Sequence, residues 1–139
     1  MNIYKELSKH PREHEVKSDR KAIVIGGTGA TGHQLIKQLL QSNNWKHVTS
    51  IGRKPVLKGE IHDKLQDIVI DSLHDMSSTR EIWEGHDVFF NCIGTTRKRA
   101  GSAREFVKIE VGISLAAAKL ASQSQIPHAS VISANGANH

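Results

Sequence analysis

The 139-residue chain has a single cysteine, Cys92, so it can form no disulfide within itself. That excludes the small secreted domains held together by disulfides and suits a reducing compartment. No apolar run reaches the ~20 residues needed by a helix that crosses a membrane. Residues 1–20 are polar and mixed in charge and carry no apolar h-region of the secretory kind. From these absences a cytoplasmic protein is expected, and they leave access to the nucleus open. Aromatic residues make up only 4% of the chain, and the basic residues behind the net charge of +5 are scattered along it. A nucleic-acid module built on stacked aromatics or a basic recognition helix is therefore the weakest function class, although a basic chain attracts anionic ligands in general. Of the nine histidines, His10 and His14 have a spacing that fits one helix face. No matched set of cysteines or carboxylates completes a metal site around them, so no metal is expected and the histidines are assigned to the surface.

Hydrophobic content of 37% and charged content of 24% are ordinary for a globular domain. The length fits one domain with a real core. Residues 1–20 read as a polar arm or a short helix, and residues 21–139 as one dinucleotide-binding domain. The organising stretch begins with the apolar run Ala22-Ile23-Val24-Ile25. The glycine-rich turn Gly26-Gly27-Thr28-Gly29-Ala30-Thr31-Gly32 follows, and then a helical pattern with Leu35, Ile36, Leu39 and Leu40 on one side. Strand, glycine turn and helix in that order are the context of a phosphate-binding loop. One glycine makes the tight turn, the next lets a pyrophosphate approach the backbone, and the last lets helix and strand pack closely. The N-terminus of the helix adds free N–H groups and a partial positive charge. The plain alternative is a tight β–α turn with no ligand.

Further along, strands are expected over residues 21–25, 48–51, 65–70, 87–93 and 129–132, and helices over 33–42, 73–84 and 104–122. In the last helix Phe106, Val107, Val111, Leu115 and Leu120 are apolar. Alternating strands and helices argue for parallel β-α-β units. Right-handed crossovers then make an α/β, doubly wound parallel sheet of about five strands in the order 3-2-1-4-5.

In such a fold the end of the second strand distinguishes NAD from NADP. An Asp or Glu there accepts hydrogen bonds from the ribose 2′-hydroxyl. Here the position holds Gly52-Arg53-Lys54. Two cations without a carboxylate suit a 2′-phosphate, which Arg53 can grip with its planar fork while Lys54 adds a point charge. NADP(H) is the expected cofactor. Asp71, closing the third strand, is placed to approach the adenine. Ile93 and Gly94, after the fourth, are placed near the nicotinamide-side ribose. Cys92 reads as a small core residue, and the basic loop around Arg97-Lys98-Arg99 as a solvated one.

Several stretches stand together in a recognisable order: the glycine turn, Ile51-Gly52-Arg53-Lys54, Gly85-His86-Asp87-Val88, Gly94-Thr95-Thr96-Arg97, Ala100-Gly101 and Ser133-Ala134-Asn135-Gly136-Ala137. Over residues 20–138 the chain resembles the Tat-interacting-protein type of atypical short-chain dehydrogenase. The resemblance implies a Rossmann fold, with NADPH held by Thr28, Gly29, Ala30, Thr31, Arg53, Lys54, Ile93 and Gly94. It also implies a longer protein whose C-terminal part completes the fold and carries a Tyr-x-x-x-Lys pair for proton transfer. The only tyrosine here is Tyr4, so no catalytic residue is assigned, and Ser133 is the sole candidate that matches a substrate-contacting position. Three readings remain open at this point. The chain is the NADPH-binding domain of an oxidoreductase, a non-catalytic NADPH-binding regulator that acts through a protein partner, or a basic nucleic-acid module.

Overall fold

A computed structural model of the protein describes residues 19–93 and 103–132. Its strands are β1 (Arg20–Ile25), β2 (Trp45–Gly52), β3 (Leu65–Val69), β4 (Val88–Asn91) and β5 (His128–Val131). They form one sheet, parallel throughout, in the order β3-β2-β1-β4-β5. Helix α1 (Ala30–Gln41) joins β1 to β2, a 3₁₀ helix (Ser77–Trp83) precedes β4, and α2 (Ala103–Gln123) precedes β5. This is the expected doubly wound order, whose strand sequence reverses between β1 and β4.

The period of two along each strand divides the core between the two faces of the sheet. Ala22 and Val24 join Ile36, Leu39 and Leu40 of α1. Ile23 and Ile25 join Trp83, Phe89 and the α2 residues Ile113, Ala117 and Leu120. Burial on both faces is why β1 reads as an unbroken apolar run. Paired aromatics brace each side, Trp45 edge-on to Phe90 at 5.9 Å and Trp83 edge-on to Phe89 at 5.0 Å.

Several boundaries differ from the sequence pattern. Helix α1 starts at Ala30 rather than at residue 33, so its first turn contains Thr31 and Gly32. Strand β2 starts at Trp45 rather than at 48, where Trp45 pairs with Arg20 and carries its guanidinium 4.2 Å from the ring centroid. The helix expected over residues 73–84 is only the 3₁₀ helix. There the Thr79 hydroxyl donates to the Met76 carbonyl at 2.7 Å and accepts from Trp83 Nε1 at 3.0 Å, a local bond of the kind that competes with α-helical pairing. On α2 the buried stripe is Ile113, Ala117, Leu120 and Ala121, while Val111 and Leu115 are exposed. At about 100° per residue, Leu115 stands about 200° round the helix from Ile113. Phe106 and Val107 lie among residues whose side chains are not described, as do residues 1–18 of the expected arm and residues 94–102 of the basic loop.

One histidine breaks the expected surface pattern. His86 is 8% exposed, because the chain turns it under the sheet between Trp83 and β2. Its Nδ1 lies 3.1 Å from the Trp83 carbonyl and its Nε2 2.8 Å from Thr49 Oγ1. A carbonyl only accepts, so Nδ1 donates to it and Nε2 accepts from the threonine hydroxyl, which is the neutral ring. Burial pushes the His86 pKa below its ordinary value, against the pull of the Trp83 carbonyl. Nearby His47 and Lys21 lower it further, and Asp87 opposes them.

Candidate functional site

Strand register brings the carboxyl ends of four strands to one edge of the sheet. Ile25, the last residue of β1, pairs with Ile51 of β2 and with Asn91 of β4, and Gly52 pairs with Val69 of β3. The residues that follow these positions therefore emerge side by side at the carboxyl ends of the strands, where open α/β sheets bind their ligands.

The glycines of the first loop have separate reasons for being glycine. Gly26 has φ +84, and a Cβ there would lie 2.6 Å from the Cys92 carbonyl carbon. A Cβ on Gly27 would strike Ile36 Cδ1 and lie 2.9 Å from Val56 Cγ1. A Cβ on Gly32 would fall on the Gly26 carbonyl oxygen, 2.7 Å from its carbon. The chain's own packing demands these three. Gly29 is different. Its φ of −74 suits any residue, and among the described residues the nearest atom to an added Cβ is the Gly26 carbonyl oxygen at 3.7 Å. Neither the backbone nor the described packing requires a glycine there, as in a loop whose backbone a pyrophosphate approaches.

Gly29 stands directly before α1. Gly29 is the N-cap and supplies no side-chain cap, and the first turn holds no acidic residue. The first helical bond runs from the His33 amide to the Gly29 carbonyl at 2.8 Å. The amides of Ala30, Thr31 and Gly32 precede it and have no acceptor among the described residues. Three free N–H groups and the positive end of the helix form an anion site. The residues present thus fit a dinucleotide phosphate.

Arg53 and Lys54 follow β2 and are both exposed, as is Asp71 beyond β3. The ends of β2 and β3 are tied by the Ile70 amide donating to the Gly52 carbonyl at 2.8 Å. Thr28 is exposed on the loop and Ala30 at the first position of α1, and Thr31 is half-buried. Ile93 is half-buried beyond β4, and its amide donates to Asn91 Oδ1 at 3.0 Å. Asn91 Nδ2 in turn donates to Ser114 Oγ of α2 at 2.9 Å, so the helix holds the end of β4. The structure therefore brings Gly26, Thr28, Gly29, Ala30, Thr31, Gly32, Arg53, Lys54, Asp71 and Ile93 to one edge. Gly94 and Ser133 lie outside the described residues. Cys92 sits beside this edge with its thiol buried, which raises its pKa to about 11; as a core residue it is a poor nucleophile. No group of metal-ligating side chains occurs among the described residues, and no described helix is long and apolar enough to cross a membrane.

Sequence reasoning missed three residues that shape this edge. Val56 is a lone buried residue in a polar connection, Asp67 a carboxylate inside β3, and Asn91 an amide in an apolar strand. A polar residue within an apolar strand was the available signal for Asn91, and only tertiary contacts reveal Val56 and Asp67.

Comparison with known proteins agrees with this geometry. The model of a family described as NAD(P)H-binding matches residues 26–139. The chain is 32% identical to the protein HTATIP2 of Rattus norvegicus, covering 91% of this chain and 52% of that one. It is 37% identical to the mitochondrial protein FMP52 of Debaryomyces hansenii, covering 84% and 51%. The chain thus spans about half the length of the curated relatives it matches. A short-chain dehydrogenase/reductase superfamily protein from Agrobacterium tumefaciens, solved with bound NAD, has the same fold at TM-score 0.63 and 14% identity, covering 81% of this chain and 32% of that one. A nicotinamide dinucleotide is the cofactor class, and nothing in these likenesses favours a nucleic-acid module.

One expectation is overturned. FMP52 proteins of Debaryomyces hansenii, Scheffersomyces stipitis and Candida albicans are named as mitochondrial, against the cytoplasmic and nuclear assignment. The absences behind that assignment, of disulfides and of a secretory h-region, separate the secretory route from reducing compartments and do not tell those compartments apart. With a family model that matches most of its length, the chain belongs to the NAD(P)H-binding family and takes its place among the atypical short-chain dehydrogenase-like proteins related to HTATIP2 and FMP52.

Proposed function

We propose that this chain is the NADP(H)-binding domain of an atypical short-chain dehydrogenase-like oxidoreductase. The observation that carries the choice of NADP(H) is the exposed Arg53-Lys54 pair, which stands at the end of β2 where NAD binders place a carboxylate. On this reading Thr28, Gly29, Ala30 and Thr31 receive the pyrophosphate, and Gly26 and Gly32 shape the turn beneath it. Arg53 and Lys54 hold the 2′-phosphate, and Asp71 borders the adenine. Ile93 and Gly94 line the nicotinamide side. A bound nicotinamide supplies hydride transfer. The residues of this chain bind and orient it, and the acid–base group and substrate belong to the whole protein.

Calorimetric titration with NADPH and NADH tests the assignment. Wild type should bind NADPH the more tightly. Arg53→Ala should weaken NADPH by about tenfold or more, the scale of a lost charge-assisted hydrogen bond, and leave NADH within about twofold. Equal losses for both cofactors would refute the role of Arg53.

A further inference from the structure

The Arg53-Lys54 turn is not free to choose its position. Among residues 53–63 only Val56 is buried, at 3% exposure. Its side chain packs in the cluster of Ile36 and Val24, and Cγ1 lies 2.9 Å from where Gly27 would place a Cβ. Val56 thus shares with Ile36 the space that Gly27 leaves empty, and it joins the turn after β2 to the glycine loop after β1. Its backbone is fixed from the other side, because the Val56 amide donates to Asp67 Oδ2 at 2.9 Å. Asp67 lies inside β3 opposite Ser50 of β2. Its second oxygen, Oδ1, is buried with no partner among the described residues, and so is Ser50 Oγ. Burying an unpaired carboxylate oxygen is costly, and strand packing gives no reason to place an acid there.

We infer that Asp67 is a positioning residue for cofactor choice: it clamps the Val56 amide so that Arg53 and Lys54 stand beside the N-terminus of α1, where a ribose 2′-phosphate arrives together with its pyrophosphate. The inference rests on the NADP(H) reading of Arg53 and Lys54. Asp67 touches neither cofactor nor substrate. It acts through three intervening backbone links, so its signature is a change in preference between two cofactors and not a general loss.

The test is the calorimetric affinity of wild type, Asp67→Ala, Asp67→Ser and Asp67→Asn for NADPH and for NADH. In Asp67→Ala and in Asp67→Ser, whose hydroxyl falls short of the amide, NADPH should weaken about fivefold, the size of one hydrogen bond, and NADH should stay within about twofold. Asp67→Asn keeps an acceptor oxygen and should keep the wild-type preference. Hydrogen exchange gives a readout that needs no variant: the wild-type Val56 amide should exchange as slowly as the amides of β3, and fast exchange would overturn the clamp. Parallel loss of both cofactors in Asp67→Ala and Asp67→Ser, or an unchanged preference, would also overturn the clamp while leaving Arg53 and Lys54 in place. Wild type without preference for NADPH would overturn the reading of Arg53 and Lys54, and the clamp with it.

Discussion

Replacing Gly29 and Gly32 in turn by alanine separates what the glycine loop does for the fold from what it does for a ligand. At Gly32 the new Cβ would fall on the Gly26 carbonyl oxygen, with the Gly26 carbonyl carbon at 2.7 Å and Gly27 Cα at 3.0 Å. All three are backbone atoms, so the loop or the helix must move. Overpacking of that kind costs about 1–3 kcal/mol or more. At Gly29 the nearest atom to the Cβ among the described residues is 3.7 Å away, and φ is −74. The substitution loses a favourable N-cap residue, worth roughly 0.5–1 kcal/mol. It recovers a similar amount by restricting the unfolded chain. The net change should stay within about 1 kcal/mol, or a few degrees in Tm for a chain of this size. The ligand sees the reverse order of severity. A methyl at Gly29 fills the approach to the three free amides of Ala30, Thr31 and Gly32. Gly29→Ala should therefore weaken NADPH and NADH alike, by about tenfold or more (about 1.4 kcal/mol), since both carry the same pyrophosphate. Thermal unfolding of the apo chain and calorimetric titration read the two effects separately. Gly29→Ala with wild-type affinity for both dinucleotides would refute the placement of the pyrophosphate. Gly29→Ala as destabilising as Gly32→Ala would refute the claim that the space at Gly29 is open.

Two further outcomes follow from buried titratable groups to which no cofactor contact is assigned. His86 is held neutral with a lowered pKa, so the unfolded chain takes up its proton first as pH falls; stability should be level above about pH 6.5 and should drop below it. Urea midpoints between about pH 5 and pH 8 check this, and an equally steep drop in His86→Gln would assign it to other groups. Burial raises the Cys92 pKa from 9.0 to about 11, which cuts its thiolate at pH 8 about 100-fold. An aromatic disulfide reagent should therefore modify the native chain at least that much more slowly than the urea-unfolded chain, and comparable rates would show that the thiol is accessible.

The sequence was most legible where both faces of an element are buried. The runs Ala22–Ile25 of β1 and Val88–Phe90 of β4 are apolar because both faces of the sheet are covered there, and the glycine turn between β1 and α1 is spelled out residue by residue. Legibility failed where side chains redirect the backbone or where distant segments meet. The pattern over residues 73–84 has helical apolar spacing, but the Thr79 hydroxyl, bonded to Met76 and Trp83, accompanies a tighter 3₁₀ helix. His86 looks like any other histidine near a turn. Only its packing against Thr49, 37 positions earlier, makes it a buried neutral ring. In α2, apolar residues occur on more than one face, so composition did not say that Ile113 would be buried and Leu115 exposed. Near the site, Arg53 and Lys54 could be read because charge at a strand end has meaning by itself. Asp67 could not be, since its partner is a backbone amide 11 positions away.

The same contrast bears on how the glycine motif should be understood. A pattern match treats its glycines as one signature of phosphate binding, yet Gly26, Gly27 and Gly32 are each accounted for by contacts inside the chain. A β–α turn that bound nothing would need those three as much as this one does. Among the described residues Gly29 alone lacks an internal reason, so the ligand argument falls on that residue and on the uncapped amides behind it. Gly27 adds a second consequence. Because Ile36 and Val56 together fill the space beside it, any side chain at Gly27 would push against α1 and against the segment that carries Arg53 and Lys54. On the proposed reading, the site for the pyrophosphate and the site for the 2′-phosphate are therefore mechanically coupled through Val56. A change at position 27 would act on cofactor choice as well as on affinity, although Gly27 is not itself among the residues that receive the pyrophosphate.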